Sequence, residues 1–225
     1  MDNFRIKTCV LGMVSTNCYI VYRETERKEG QPVPAVVIDP AAQADKIIRM
    51  CQELKVRPEA VLLTHGHFDH MMAADSLRKE YGIPVYAGTM EQDLLERADL
   101  NLSTAFGNTC TLKADVFLED QQEICLAGMY WKVLFTPGHT QGSVCYLPVE
   151  EEVIFSGDTL FLESLGRTDF PTSSTAQIVR SITEKLFELP DDWMVYPGHG
   201  DPTTIGHEKE CNPVACYYKG SDGKR

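Results

Sequence analysis

The chain has 225 residues, 43% of them hydrophobic, and a formal net charge of −12. That length can bury a sizeable core in one domain, and the acidic balance opposes close approach to a phosphate backbone, so nucleic acid is not an expected partner. No run approaches the roughly 18 consecutive apolar residues of a membrane span, and the start from Met1 to Val10 lacks a signal-peptide core, so a cytoplasmic protein without a membrane partner is expected.

Residues 4–11 and 17–23 read as strands around a turn containing Gly12, and 35–38 reads as a third strand after the loop 30–34. Ile47, Ile48, Cys51 and Leu54 recur at helical spacing, which predicts a helix over 45–55 closed by Pro58. A short apolar strand at 60–63 runs into a loop of histidines. The helical run 71–81 follows, ended by Gly82 and Pro84, and then a strand at 84–87. Thr89 is read as the cap of a helix reaching Leu100. Strands are expected at 116–118, 123–126, 130–136, 144–147 and 153–155. Ser174 and Gln177 have capping-box spacing, and Ile178, Ile182 and Leu186 recur every four residues, predicting a helix up to Pro190. A last strand is expected at 193–196, and the polar residues 219–225 are read as a disordered tail after a single domain of 1–218.

A strand meander needs antiparallel pairing without crossover helices. The order of elements therefore predicts two sheets packed face to face with helices outside. Eight cysteines are scattered without a Cys-x-x-Cys pair, several in strand-like apolar runs, so reduced thiols are expected rather than a disulfide framework.

Five of the six histidines follow apolar strands in glycine-containing loops. The strand ending at Thr64 runs into His65, His67, Asp69 and His70; others deliver His139, Asp158 and His199. If these ends share an edge, five imidazoles and two carboxylates meet in one cleft. A single histidine after a strand is ordinarily a satisfied polar residue, but four donors within six residues would otherwise be a costly cluster of unpaired groups. Imidazole with carboxylate suits zinc, iron or manganese, and seven donors exceed the needs of one ion, so two ions sharing a bridge fit the set.

The pattern His65-x-His67-x-Asp69-His70 with His139, Asp158 and His199 resembles the motif set of the metallo-β-lactamase superfamily, over about residues 17–213. The resemblance implies an α/β fold, a four-layer αββα sandwich with its site at one edge of the sheets. It also implies two divalent ions, zinc first and iron or manganese as alternatives. On this reading His65, His67 and His139 hold the first, Asp69, His70 and His199 the second, and Asp158 lies between them. Asp69 is in addition the expected catalytic group, steering the proton of the attacking water.

Aspartate at 158 and histidine at 199 resemble the glyoxalase II (hydroxyacylglutathione hydrolase) branch, whereas many true β-lactamases carry cysteine where Asp158 stands. The implied activity is hydrolysis of a small-molecule acyl thioester such as S-lactoylglutathione. The segments 157–161 and 166–170 resemble persulfide dioxygenases as well, which would use one iron on His65, His139 and Asp158. A non-enzymatic metal-binding module is the remaining alternative. Full-length glyoxalase II carries an added C-terminal helical region, while only residues 200–225 follow His199 here, so weak recognition of glutathione is expected.

Arg167 is read either as an anchor for a substrate carboxylate or as the ion-pair partner of Asp169. Tyr217 and Tyr218 either cover the pocket or dock the tail. Asp39 either orients a ligand histidine or forms the turn before Pro40, and His207 is expected at the surface.

Overall fold

A computed structural model of the protein describes residues 3–24, 30–107 and 109–222. The first sheet contains β1 (Phe4–Leu11), β2 (Thr16–Arg23), β3 (Val33–Ile38), β4 (Val56–Leu62), β5 (Val85–Gly88) and β6 (Val116–Leu118), in that order. The second contains β7 (Glu123–Leu126), β8 (Met129–Phe135), β9 (Val144–Pro148), β10 (Val153–Gly157), β13 (Met194–Pro197) and β14 (Thr203–Thr204). A small hairpin, β11 (Leu160–Phe161) with β12 (Ser164–Leu165), lies between β10 and β13 in the chain.

Period-two alternation decides which way each strand residue faces. On β2 and β4, Tyr19, Val21 and Leu62 enter a central layer, where they pack with Trp131, Val133, Tyr146 and Phe155 of the second sheet. Their neighbours Cys18, Ile20 and Val61 face outward and pack with Ile47, Cys51 and Leu77. Those last residues belong to α1 (Ala44–Leu54) and α3 (Ala74–Tyr81). On the far side, Cys145, Ile154 and Val195 pack with Ile178 and Ile182 of α5 (Thr175–Glu184) and Ile205 of α6 (Ile205–Cys211). The four layers are helix, sheet, sheet, helix, as expected, and all eight cysteines are free thiols.

The differences from expectation have local causes. The helix expected from Thr89 to Leu100 is a 3-10 turn, Thr89–Glu91, and the short α4 (Gln92–Glu96). Thr89 does not cap it: its hydroxyl donates to Leu118 O at 2.8 Å, and Glu91 is drawn into the interior. Pro58 does not end a helix but sits inside β4, where β5 has not begun to pair and the ladder to β3 is irregular. The helical run 71–81 is broken into α2 (Phe68–Met71) and α3. The tail expected from 219 is corrected by α7 (Ala215–Asp222), whose start is held by buried Val214 and Ala215 and by the Tyr218 ring, 5.4 Å from that of Phe187. Residues 223–225 of that expected tail lie outside the described residues.

Candidate metal centre

β8 and β10 are each antiparallel to β9, and β13 is parallel to β10, so β8, β10 and β13 all end on one edge. Those ends deliver His139, Asp158 and His199. From the first sheet, β4 delivers His65 and His67 to the same edge, and α2 carries Asp69 and His70. All seven candidate donors meet there. Donor atoms of His65, His67 and His139 lie within 4.8 Å of one another, as do those of Asp69, His70 and His199, and those of His65, His70 and Asp158. His199 Nε2 is 3.3 Å from Asp69 Oδ2 and 3.5 Å from Asp158 Oδ2.

Glycines allow this convergence. A Cβ on Gly198 would overlap Asp158 Oδ1, and one on Gly138, at φ +144°, would overlap the backbone at Ile178. Without them the loops bearing His199 and His139 could not come this close to their neighbours.

Three of the five imidazoles are oriented from behind. His70 Nδ1 lies 3.0 Å from Asp39 Oδ2, and Asp39 also accepts from Thr64 N at 2.8 Å and Thr64 Oγ1 at 2.7 Å. Asp39 is therefore both the turn residue, at φ 46°, and the partner of a candidate ligand. His65 Nδ1 is 3.1 Å from Thr64 Oγ1, and His139 Nδ1 donates to Arg167 O at 2.9 Å. Such contacts set the tautomer that turns Nε2 inward.

The electrostatics describe a floor short of cations. Burial, with neighbouring His139, pushes the His67 imidazole down to about 3, and burial with neighbouring His70 lowers His65 well below its ordinary value. Burial also lowers His70, but Asp69, Asp158 and Asp39 outweigh it and raise that imidazole well above its ordinary value. Burial would raise Asp158, yet His70 holds it down at about 2. Asp39, Asp69 and Asp158 have no lysine or arginine in contact among the described residues. His65 Nε2, His70 Nε2 and Asp158 Oδ1 are buried without a hydrogen-bond partner among them, although the last two are 3.4 Å apart. Orphaned nitrogen and oxygen atoms facing one another, beside carboxylates that touch no lysine or arginine among the described residues, are what divalent metal ions would satisfy.

Several residues that hold the site carried no motif. Glu91, fully buried, accepts from Gly66 N at 2.7 Å, Gly142 N at 2.9 Å and Thr140 Oγ1 at 2.6 Å. It thus ties the His65–His67 loop to the His139 loop, and burial raises its carboxyl to about 7 against the pull of those bonds. Thr16 Oγ1 donates to Asp69 Oδ2 at 2.8 Å. Asn17 Nδ2 donates to Pro197 O and Gly200 O, and the Tyr19 hydroxyl to Pro197 O at 2.6 Å, which pins the His199 loop on β2.

Above this floor opens a cleft of about 340 Å³, walled by Val14, Leu102, Phe106, Phe161, Phe170 and Arg167. Arg167 reaches the rim, but its guanidinium makes a double hydrogen bond to Asp169, at 2.9 and 2.7 Å, and lies 4.2 Å from the Phe170 ring. Tyr217 is 64% exposed and Tyr218 packs on Phe187, so the structure brings neither to the cleft. His207 is half-exposed and bonds Glu163 at 3.1 Å, away from the seven.

The metallo-β-lactamase superfamily model matches residues 11–199, and the chain belongs to that superfamily, whose members include metal-dependent hydrolases. It is 34% identical over 200 residues to the hydroxyacylglutathione hydrolase GloC of Haemophilus influenzae, covering 88% of this chain and 91% of that one. Among solved structures it is similar to the BLEG-1 B3 metallo-β-lactamase, with a TM-score of 0.86 and 38% identity over 93% of this chain and 98% of that one. It is also similar to a di-iron-bound form of TTHA1623, with a TM-score of 0.79 and 36% identity over 92% and 98%. No helix among the described residues is long and apolar enough to cross a membrane.

Proposed function

We propose that the chain is a single metallo-β-lactamase-like domain acting in the cytoplasm as a binuclear metal-dependent hydrolase of S-acyl thioesters such as S-lactoylglutathione. The observation that carries this reading is the pair of donor triads, His65–His67–His139 and Asp69–His70–His199, with the Asp158 carboxylate between them. Zinc is the first candidate for both positions, with iron or manganese as alternatives; the di-iron form of TTHA1623 keeps iron in view.

Bound divalent ions would make water nucleophilic near neutral pH and polarise a carbonyl oxygen. The chain's own residues supply the rest. Asp69, held by Thr16 and flanked by His70 and His199, is the carboxylate we assign to steering the proton of the attacking water. The apolar walls of the cleft would shield a bound acyl group from water. The guanidinium of Arg167 is already engaged by Asp169, which leaves the carboxylates of a tripeptide thiol without a prepared cation and supports weak recognition of the glutathione part.

The test combines metal analysis with steady-state turnover of S-lactoylglutathione and of the same acyl group on a small thiol. Two equivalents of metal are expected, with kcat/KM for the two esters within about tenfold, equivalent to roughly 1.4 kcal/mol of transition-state binding. A preference above about a thousandfold for the glutathione ester would overturn the weak-recognition reading. Hydrolysis of a β-lactam but of neither thioester would overturn the thioester reading. Oxygen uptake with a persulfide, without hydrolysis, would assign the protein to the iron dioxygenase alternative.

A further inference from the structure

Outside the cleft, three side chains of metal-ligand type meet at the turn of the β11–β12 hairpin. Glu163 sits in the hairpin turn at φ 52°, while His207 and Cys211 lie four residues apart on α6, one helical turn from each other and on the same face. One donor atom from each lies within 4.8 Å of the other two, and His207 Nε2 is 3.1 Å from Glu163 Oε1. The three differ in kind, offering an imidazole nitrogen, a cysteine sulfur and a carboxylate oxygen.

The relative placement of hairpin and helix is set by a buried strap and not by the three exposed side chains themselves. Glu208, fully buried, accepts from Glu163 N with both carboxylate oxygens, at 3.1 and 3.0 Å. It is held in turn by Thr203 Oγ1 and Asn212 Nδ2, each at 2.7 Å. Asn212 Nδ2 also donates to Ser164 O at 2.9 Å, on the other side of the turn, and Thr204 Oγ1 accepts from His207 N to start the helix. The chain thus fixes the backbones that present Glu163, His207 and Cys211 before any ligand arrives, and preorganisation of this kind lowers the entropic cost of chelation.

We propose that Glu163, His207 and Cys211 form a second metal site, separate from the cleft, for a borderline divalent ion of the zinc class. Mixed nitrogen, sulfur and oxygen donors select zinc, cobalt or nickel over calcium and magnesium, and three protein ligands with an exposed fourth position leave room for solvent. Binding releases the Cys211 thiol proton to water and involves no change in oxidation state. The site would clamp the hairpin turn that Phe161 enters, and Phe161 is a wall of the cleft with its ring 6.2 Å from His199, so an ion there would stiffen the mouth of the cleft.

The absence of cysteine among the seven cleft donors provides a clean readout. Protein already loaded with its cleft metal is titrated with Co(II), following the near-ultraviolet thiolate-to-Co(II) charge-transfer band. One further equivalent should bind with that band, the band should vanish in Cys211→Ser, and affinity should fall more than about tenfold in His207→Ala and in Glu163→Gln. All three side chains are at least partly exposed, so the variants should fold. No band in the wild-type protein would overturn the proposal, as would a band unchanged in Cys211→Ser or an affinity unchanged in His207→Ala. Each of these outcomes leaves the thioesterase reading of the cleft untouched.

Discussion

The floor and the rim of the cleft are built on opposite terms. On the floor, His65, His70 and His139 are at most 2% exposed, and each has its outer ring nitrogen engaged by a neighbour, Thr64, Asp39 or the carbonyl of Arg167. On the rim, the Arg167 and Asp169 side chains are 66% and 64% exposed and partner each other. Phe106 stands 48% exposed with its ring 4.8 Å from that of Phe68. A floor of interlocked polar groups cannot adapt without leaving a buried donor unpaired, whereas an exposed apolar rim can reshape at little cost. The chemistry should therefore be intolerant of substitution and the choice of substrate forgiving.

The most severe test of that contrast is Asp158→Ala, because Asp158 approaches His70, His139 and His199 at once. Metal content and thioester turnover should both collapse, the latter by about a thousandfold or more. Near-normal turnover would break the reading of the floor. Asp69→Asn comes next: size is kept and one charge is lost, so turnover should fall at least about a hundredfold while the His65–His67–His139 triad keeps its ion. Full metal content with an unchanged rate would reduce Asp69 to a supporting group.

Glu91→Gln sharpens the comparison within the floor. An amide nitrogen must then face a backbone N–H or the Thr140 hydroxyl, so the two loops bearing His65, His67 and His139 should lose their relative placement. Metal titration should show about 10- to 100-fold weaker binding at that triad and little change at Asp69–His70–His199. The same variant has a pH signature. Burial raises the Glu91 carboxyl from 4.5 to about 7, so between those values the folded protein holds a proton that the unfolded chain has released. Stability from this group is present below about pH 4.5 and lost as pH rises through about 7. Urea unfolding at pH 5 and pH 7 should show a smaller decline in Glu91→Gln than in the wild type.

The smallest effect is expected at the rim, where Arg167→Ala should alter kcat/KM for a thioester by less than about tenfold and chiefly through KM. Its backbone carbonyl, which orients His139, survives the substitution. A loss in kcat comparable to that of Asp69→Asn would show that the rim takes part in the chemistry.

Much of the layered fold was legible from the order of elements, because the short apolar runs of β2, β4, β8 and β10 and the helical spacing of Ile47, Cys51, Ile178 and Ile182 follow directly from which faces are buried. Strand ends carrying histidine next to glycine were legible for a similar local reason. The supports of the site were not. Thr140 lies 49 residues from Glu91, and Pro197 lies 180 residues from Asn17, so no window of sequence contains both partners. Sequence left Tyr217 and Tyr218 open between covering the pocket and docking the tail because aromatic residues near the C-terminus can do either, and Tyr218 docks on Phe187.

By itself, then, the sequence determined the residue types at the strand ends, the alternation that buries each strand and the surplus of acid over base. Those are properties of the local chain and of composition, and they sufficed to specify two sheets, outer helices and a set of donors suited to metal. Tertiary structure alone decided which donors share an ion-sized space, that Asp39 and Glu91 stand behind them, and that Glu163 meets His207 and Cys211 on another face. Those outcomes depend on the pairing of β10 with β13 and the packing of one sheet on the other, long-range events that bring side chains together only after the backbone hydrogen bonds of both sheets are satisfied.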